Sequence, residues 1–506
     1  MKLNKITNAR LLTAIIALLC ELPNVQAAEP TYADGVWTVP ANDVSAFTNA
    51  FKRAVNGDRI VLEKGVYKFS GITSSDPTTS RLYHDRNGVS ITIAGGGKAA
   101  GDVLIDIAGT SAERARLLRV NKGDVSFTNL TVTGAYGVKK ANGGALWING
   151  GCKVWDCVFT NNYAESGYGG AAYGGVFYKC RFAGNSVGGT GGALQNATSY
   201  DCYFTNNVAG GSEGGGAVYG GTHNRAVFEC NRTTYGSGRG GGAASAVCIG
   251  CTFRANTSQA YNAQAHNCSG LTNCNFTTVA GSSAFLYGCK SVYNCVFTNG
   301  VCASSIDFQN SVLVRCTIAG NRETCNKGGF FSGCKLINCL VKNNATVENQ
   351  SYLASGTTFW NCTVVSNRYQ STSYYTIDGT SKGVNTIFAF NSPFDFNPTL
   401  GSALTNCIVT SFKSGTGTDF PSSCPDCLYV PKKNAGRMFA DSACGDYHLR
   451  PGSAAKGWGL MTPDYLALIG DLDLDGNPRL TYKGSATALD LGCYMYKPLG
   501  LLLLVR

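Results

Sequence analysis

The sequence predicts an all-β chain folded as a right-handed single-stranded parallel β-helix, a solenoid with an N-terminal helical cap and a small C-terminal closing segment. Three observations carry that expectation. From about Val125 to Ser411 one short pattern repeats: an apolar residue, any residue, Cys, any residue, an aromatic or branched apolar residue, then Asn. Trp155-Asp-Cys157-Val-Phe159-Thr-Asn-Asn162 is one copy, Tyr178 to Asn185 and Tyr200 to Asn207 are the next, and others centre on Cys230, Cys251, Cys274, Cys295, Cys316, Cys339, Cys362 and Cys407. Their spacing is mostly about 21 to 23 residues, the range of stacked coils. Second, positions minus two, zero and plus two from each Cys are mostly apolar and those between mostly polar, a period of two that reads as a strand with one buried face. Third, the early coils carry Gly-Gly-Ala upstream, as at Gly143-Gly-Ala145, Gly169-Gly-Ala171 and Gly191-Gly-Ala193, which suits tight corners between short strands. No Pro occurs from Val125 to Asn391 and no helical period is present there, so the coils are expected to be strands and turns only.

The flanking elements follow in order. Lys2, Lys5 and Arg10 precede the apolar run Leu11 to Leu19, and Val25-Gln26-Ala27 offers a cleavage site, so 1–27 reads as a signal peptide. Cys20 is a poor lipoprotein site because Leu19 before it is large. No later segment has some twenty apolar residues, so the exported chain is expected to have no transmembrane helix; the Leu501 to Val505 run reads as a last strand or a sorting remnant. Val44 to Val55 reads as an amphipathic helix covering the first coil, and Gly57 to Tyr67 as strand and turn. The expected units are 28–124 (cap and first coils), 125–411 (repeats) and 412–506 (closing segment). The step of 28 residues from Cys202 to Cys230 suggests an insertion at Thr222 to Arg225.

Twenty-three cysteines in an exported chain would suggest a disulfide framework. Most of them, however, occupy the buried position of one repeated strand, where a ladder of unpaired small thiols is the simpler reading. Cys152, Cys268, Cys289 and Cys334 form a second set that could pair locally. Cys248-x-x-Cys251 and Cys424-x-x-Cys427 look like zinc half-sites, but no second pair or His stands at suitable spacing.

The entry Gly57-Asp-Arg-Ile-Val-Leu-Glu-Lys-Gly-Val-Tyr67 resembles that of secreted β-helix proteins of the pectate lyase-like superfamily, with Arg59 where Thr is usual. The coils are similar to the Gly-Gly-Ala-Ile and Phe-x-x-Asn repeats of bacterial polymorphic outer-membrane proteins: Phe159 to Asn162, Phe182 to Asn185, Phe204 to Asn207 and Phe253 to Asn256 match, while Ile318, Val341 and Val364 replace Phe later. Gly445 to Ser453, Asp473 to Arg479 and Leu489 to Tyr494 look like the closing segment of β-helix proteins classed as choice-of-anchor Q, with Cys493 and Met495 where Ala and Glu are usual. These resemblances imply an architecture and an export route to the outside or the outer membrane, and no particular substrate.

Two outward columns are candidates for function. The residue before each repeated Cys reads Asp156, Lys179, Asp201 and Glu229, followed mostly by Asn. Stacked about 5 Å apart, these form either a solvated charge ladder or a catalytic set with Lys179 as general base for uronate elimination and the carboxylates holding calcium or polarising the substrate. The second column, two residues after each Gly-Gly-Ala alanine, is Trp147, Tyr173, Gln195, Tyr219 and Ser245; such rings beside small residues suggest a shallow sugar-binding groove. His84, His223, His266 and His448 fall in unrelated contexts, and no metal site is expected. Asp471-Leu-Asp473-Leu-Asp475-Gly476 starts like an EF-hand, but Tyr482 stands where its Glu should be, so turn chemistry is the better reading and no cofactor is expected, calcium being the open alternative.

Without the signal peptide the chain holds 39 basic and 30 acidic residues, a surface suited to acidic polysaccharide or an anionic envelope. No Lys/Arg-rich block points to nucleic acid. The leading expectation is a monomeric, secreted or surface-associated, adhesin-like protein that binds a polysaccharide or cell-envelope glycan. A polysaccharide lyase or glycoside hydrolase of pectate lyase-like type is the first alternative, which leaves open whether the chain is an enzyme; a structural envelope protein is the second.

Overall fold

The computed structural model describes residues 29–69, 80–137, 142–259, 263–277, 284–302, 308–323, 330–346, 352–368, 376–397, 403–413, 419–420, 422, 424–479, 481–483 and 486–497. The expected signal peptide, 1–27, and the Leu501 to Val505 run lie outside them. The described chain is a parallel β-helix of about 14 turns, fitting the right-handed form. One sheet of 27 strands and one of 16 run its length, joined by shorter strips of 5 and 3 strands. No described helix is long and apolar enough to cross a membrane.

One coil shows how the residues build it. Ala172–Tyr173 is a strand; Gly174 and Gly175 turn the chain; Val176–Tyr178 is the second strand. Lys179 turns it again with φ 51°, Arg181–Ala183 is the third strand, Gly184 turns it at φ 65°, and Ser186–Val187 leads into the loop before the next Gly-Gly-Ala. The middle corner recurs at Asp156, Lys179, Asp201, Arg225, Gly250, Asn273, Asn294, Arg315, Asn338, Asn361, Asn385 and Asn406, all with φ between 48° and 64°. Asn, Asp and Gly tolerate this left-handed conformation best, which explains their dominance there.

That corner corrects the expected strand phase. The residues two before the Cys, Trp155, Tyr178 and Tyr200, are half-exposed, and the buried ones are Val154, Phe177 and Ser199 three before it. A left-handed residue interrupts the strand, so the alternation restarts after it and the Cys again faces inward.

Inside, each column is continuous from rung to rung. Phe159, Phe182, Phe204, Phe228, Phe253, Phe276 and Phe297 pair in parallel register, with successive ring centroids 4.5 to 5.3 Å apart. Three residues on, Asn162, Asn185, Asn207, Asn231 and Asn256 form a fully buried amide ladder. Each Nδ2 but the last donates to the next Oδ1 at 2.9 to 3.0 Å. Gln264 ends this run by accepting from Asn256, and Asn321, Asn344, Asn367 and Asn391 form a second run that ends on buried Asp395.

The thiols do similar work in their own column. The Cys180 amide donates to Cys202 Sγ at 3.3 Å and that of Cys316 to Cys339 Sγ at 3.4 Å, while the Cys362 amide donates to Thr386 Oγ1, which stands in the same column, at 3.3 Å. A small side chain that can both donate and accept is what the position needs. Cys152, Cys268, Cys289 and Cys334, considered for local pairing, are free, as are the column thiols. Burial pushes Cys157 and Cys334 up to about 12, so they are protonated at neutral pH and are not nucleophiles.

The register also corrects one coil. Phe228, not Cys230, continues the third strand, since Val227–Glu229 pairs with Tyr203–Thr205 and with Thr252–Arg254. Ala226 therefore stands in the thiol column, and Cys230 is an exposed corner residue at φ 55°. Thr222–Asn224 is a regular strand paired on both sides, so no insertion lies there. The extra residues sit in the loop from Gly210 to Gly214, between the strand Val208–Ala209 and the next Gly-Gly-Ala.

The N-terminal end is covered by the expected helix. Helix Val44–Arg53, capped by Asp43 accepting from the Ala46 amide, buries Phe47, Ala50 and Phe51 on the first rungs. Asp58 of the Gly-Asp turn accepts from Trp37 Nε1 at 2.9 Å and from the Val55 amide at 2.9 Å. At the other end the closing segment lies along the flank of the last coils. Asn338 donates to the Ile469 and Leu472 carbonyls, Asn361 to those of Asp490 and Gly492, Asn385 to that of Leu460 and Asn406 to that of Trp458. The acidic run makes a turn: Asp473 accepts from the amides of Asp475, Asn477 and Met495.

His448 clasps that segment, with Nδ1 2.5 Å from Asp446 and Nε2 2.6 Å from Asp475. Burial opposes its charge, but the hydrogen bonds to Asp475 and Asp446 outweigh this and raise its pKa above 6.5. A raised folded-state pKa means the clasp's contribution is full below the unfolded value and is lost as the pH rises through the folded one. Wild type should therefore exceed His448→Gln in stability at pH 6 by up to about 1 kcal/mol, the ceiling for a half-exposed pair, and by less at pH 8.5. Melting curves of both at the two values check this; an equal difference at both would remove the clasp.

Candidate functional site

The middle corner carries the proposed catalytic set, and the structure brings only part of it together. Asp156, Lys179 and Asp201 occupy successive rungs, all exposed. The next rung is Arg225, whose Nε and Nη2 hold the Asp201 carboxylate at 2.7 and 2.8 Å. That pairing lowers the Asp201 pKa, so the carboxylate is engaged and charged at neutral pH. Glu229, expected in this column, ends the third strand instead; it pairs with Arg254 at 2.5 Å and accepts from the Tyr203 hydroxyl. The physical reason is the register of Phe228, which moves Glu229 onto the neighbouring sheet. Asp156 and Asp201 lie two rungs apart, about 10 Å, too far to share one calcium ion through direct ligands. Among the described residues Lys179 makes no ion pair with either. Farther on, Asn338, Asn361 and Asn385 of this column are buried beneath the closing segment.

The other column does align. Trp147, Tyr173, Gln195 and Tyr219 are parallel partners on successive rungs, preceded by Arg119 and Tyr83. Ser245 is not in it; Ala244 pairs with Tyr219 because this coil reads Gly-Gly-Gly-Ala-Ala. From Tyr83 to Tyr219 the column spans six rungs, about 24 Å. Trp147, Tyr173 and Tyr219 are half-exposed, whereas Gln195 is buried and accepts from Thr190 Oγ1 at 2.9 Å, so its amide holds the adjoining loop rather than a ligand. Asn196 donates to the Tyr173 hydroxyl at 3.4 Å, and Trp147 Nε1 to Asn149 at 3.1 Å. The wall is not simply apolar: the guanidiniums of Arg119 and Arg116 lie 4.1 and 5.0 Å from the Trp147 ring centroid. Beyond Ala244 the column is covered, for His266 is buried against Tyr287 and burial lowers its pKa to about 4.

A second aromatic ladder, at the position two before each Cys where the sequence pattern predicts core, lies on the outside. Trp155, Tyr178 and Tyr200 stack with centroids 5.5 and 5.1 Å apart and planes 11° and 8° from parallel. Their faces are spent on one another, so they offer edges and hydroxyls, not flat platforms. Sequence reasoning also missed Arg225 and Arg119. Phe228-Glu-Cys-Asn231, an intact Phe-x-x-Asn, was the signal that would have set the register and exposed Arg225.

Among the described residues these features define a class: a parallel β-helix that carries a partly exposed column of aromatic rings and Arg119 along its axis. No family model matches the chain and no curated protein matches it. Among solved structures it is similar to tailspike protein 3 of bacteriophage CBA120, at 12% identity over 81% of this chain and 70% of that one, with a TM-score of 0.34. A PL6 alginate lyase in complex with a trisaccharide gives 10% identity over 79% and 97%, TM-score 0.34. The tailspike protein of E. coli bacteriophage HK620 gives 12% over 79% and 72%, TM-score 0.32. At these scores the likenesses carry no argument about function.

Proposed function

We propose that this chain is a secreted or surface-associated polysaccharide-binding β-helix, adhesin-like in its use, with the Trp147, Tyr173 and Tyr219 column as its contact surface. The observation that carries the reading is an in-register column in which Tyr83, Arg119, Trp147, Tyr173 and Tyr219 are at least partly exposed, interrupted at one rung by the buried Gln195. An extended glycan laid along the axis would meet a ring or a guanidinium at five of the six rungs. The rings of Tyr173 and Tyr219 contribute about 2 kcal/mol together, so Tyr173→Ala with Tyr219→Ala should weaken co-sedimentation with the bound polymer roughly thirtyfold. Unchanged binding by the double variant would remove the column from the account.

The catalytic reading keeps one observation in its favour. Lys179 holds a left-handed backbone that suits Asn or Gly better, and such strain is a reason to look for chemistry. Incubation with acidic and neutral polysaccharides, with and without calcium, decides it. Unsaturated uronate products or new reducing ends that vanish in Lys179→Ala would make the chain an enzyme; binding without products, unchanged in Lys179→Ala, supports the adhesin-like reading.

A further inference from the structure

We propose that Arg119 is an anion-recognising subsite of the column, so that the polysaccharide it binds is a polyanion; this rests on the glycan-binding reading above. Arg119 stands in register between Tyr83 on the rung before and Trp147 on the rung after. Its guanidinium lies 5.8 Å from the Tyr83 centroid and 4.1 Å from that of Trp147, so aromatic rings hold it by cation–π contact. Arg225, Arg254 and Arg114 are neutralised by Asp201, Glu229 and Glu165, and Arg181 also lies over a ring, that of Tyr203, but Arg119 is the one placed in register between two rings of the open column. Among the described residues Arg119 has no such partner and makes no hydrogen bond, and its Nε is buried without an acceptor. Arg116, whose guanidinium lies 5.0 Å from the same indole centroid, is fully buried and donates to the Asn142 carbonyl, so Arg119 is the cation of this pair that a ligand can reach.

A guanidinium gripped through its faces keeps its edge for a ligand; with Nε buried, the edge that remains is that of the two Nη groups, a planar fork of N–H donors matched to two oxygens of one anion. The ligand chemistry is thus an in-plane oxyanion on a sugar, a uronate carboxylate or a sulfate ester, with the adjoining rings of the polymer running on toward Tyr173 and Tyr219. Neutral glycans would leave the fork unpaired on a surface where displacing its water returns nothing.

The test is equilibrium binding of the full chain to alginate, dextran sulfate and neutral dextran at fixed ionic strength. At least one polyanion should bind about tenfold or more tightly than dextran, and Arg119→Gln should lose about that factor on the polyanion alone, as expected for a charged hydrogen bond. Arg119→Lys, which keeps the charge without the planar fork, should fall between them, and melting curves confirm that each variant is folded. Preference for alginate or for dextran sulfate tells carboxylate from sulfate ester. On wild type, free galacturonate should compete for alginate where glucose does not. Equal binding of dextran and polyanion, or Arg119→Gln equal to wild type, overturns the anion subsite while glycan binding stands; failure of every polymer overturns both.

Discussion

Asn207→Ala is expected to lower the free energy of unfolding by about 3–5 kcal/mol, because each of several orphaned buried groups costs roughly 1–3 kcal/mol before relaxation. Asn207 is fully buried, and its Nδ2 donates to the Phe182 carbonyl and to Asn231 Oδ1 at 3.0 and 2.9 Å. Its own Oδ1 accepts from both the amide and the Nδ2 of Asn185 at 3.0 Å. Alanine satisfies none of these groups, and water has no ready way into a fully packed core. Because each rung touches chiefly its neighbours, the loss should be local: amide exchange of Asn185 and Asn207 should accelerate far more than that of Asn344 in the second ladder. A denaturation midpoint within error of wild type, with unchanged exchange at Asn185, would mean the ladder does not hold the coils.

The second expected result separates two readings of one coil. Phe228→Ala should cost about 3–5 kcal/mol, the usual range for deleting a buried ring and leaving its cavity. Its ring stacks between Phe204 and Phe253 at 5.0 and 4.8 Å and meets the buried His223 edge-on at 5.9 Å. Two residues away, Cys230→Asn should be neutral to about 1 kcal/mol stabilising, since Cys230 is exposed and holds a left-handed φ of 55° that Asn tolerates better. Were Cys230 the buried centre of its repeat, as its place in the sequence pattern suggests, the order of the two effects would reverse. Urea denaturation of both variants distinguishes the cases.

Most of the solenoid was legible, and the misreadings have a common cause. The rule that alternate residues share a face holds only along an unbroken strand. A left-handed corner at Asp156, Lys179 or Asp201 restarts the alternation without altering hydropathy, so Trp155, Tyr178 and Tyr200 read as core although they face outward. The excess of Asn, Asp and Gly at that position was itself the mark of a corner. Likewise Cys was the most conspicuous letter of the repeat but not its anchor: Thr386 and Ala226 replace it in the thiol column, whereas Phe228 and Asn231 keep the register where Cys230 breaks it.

By itself the sequence determined that the chain coils, most of the residues that fill the Phe and thiol columns outside the coil of Cys230, and that a helix covers the first rung. Those features are local and repeated, so a spacing of some twenty residues and a period of two are enough to specify them. The tertiary structure alone decided which side chains became neighbours across rungs and which face stayed open. Arg119 meets Trp147 from 28 positions away, Arg225 takes Asp201 from 24, and Asn361 is buried by Tyr465 and Gly492 from more than a hundred. Such contacts are set by the stacking of coils of unequal length and by where a distant segment folds back, and neither leaves a pattern in the residues that form them.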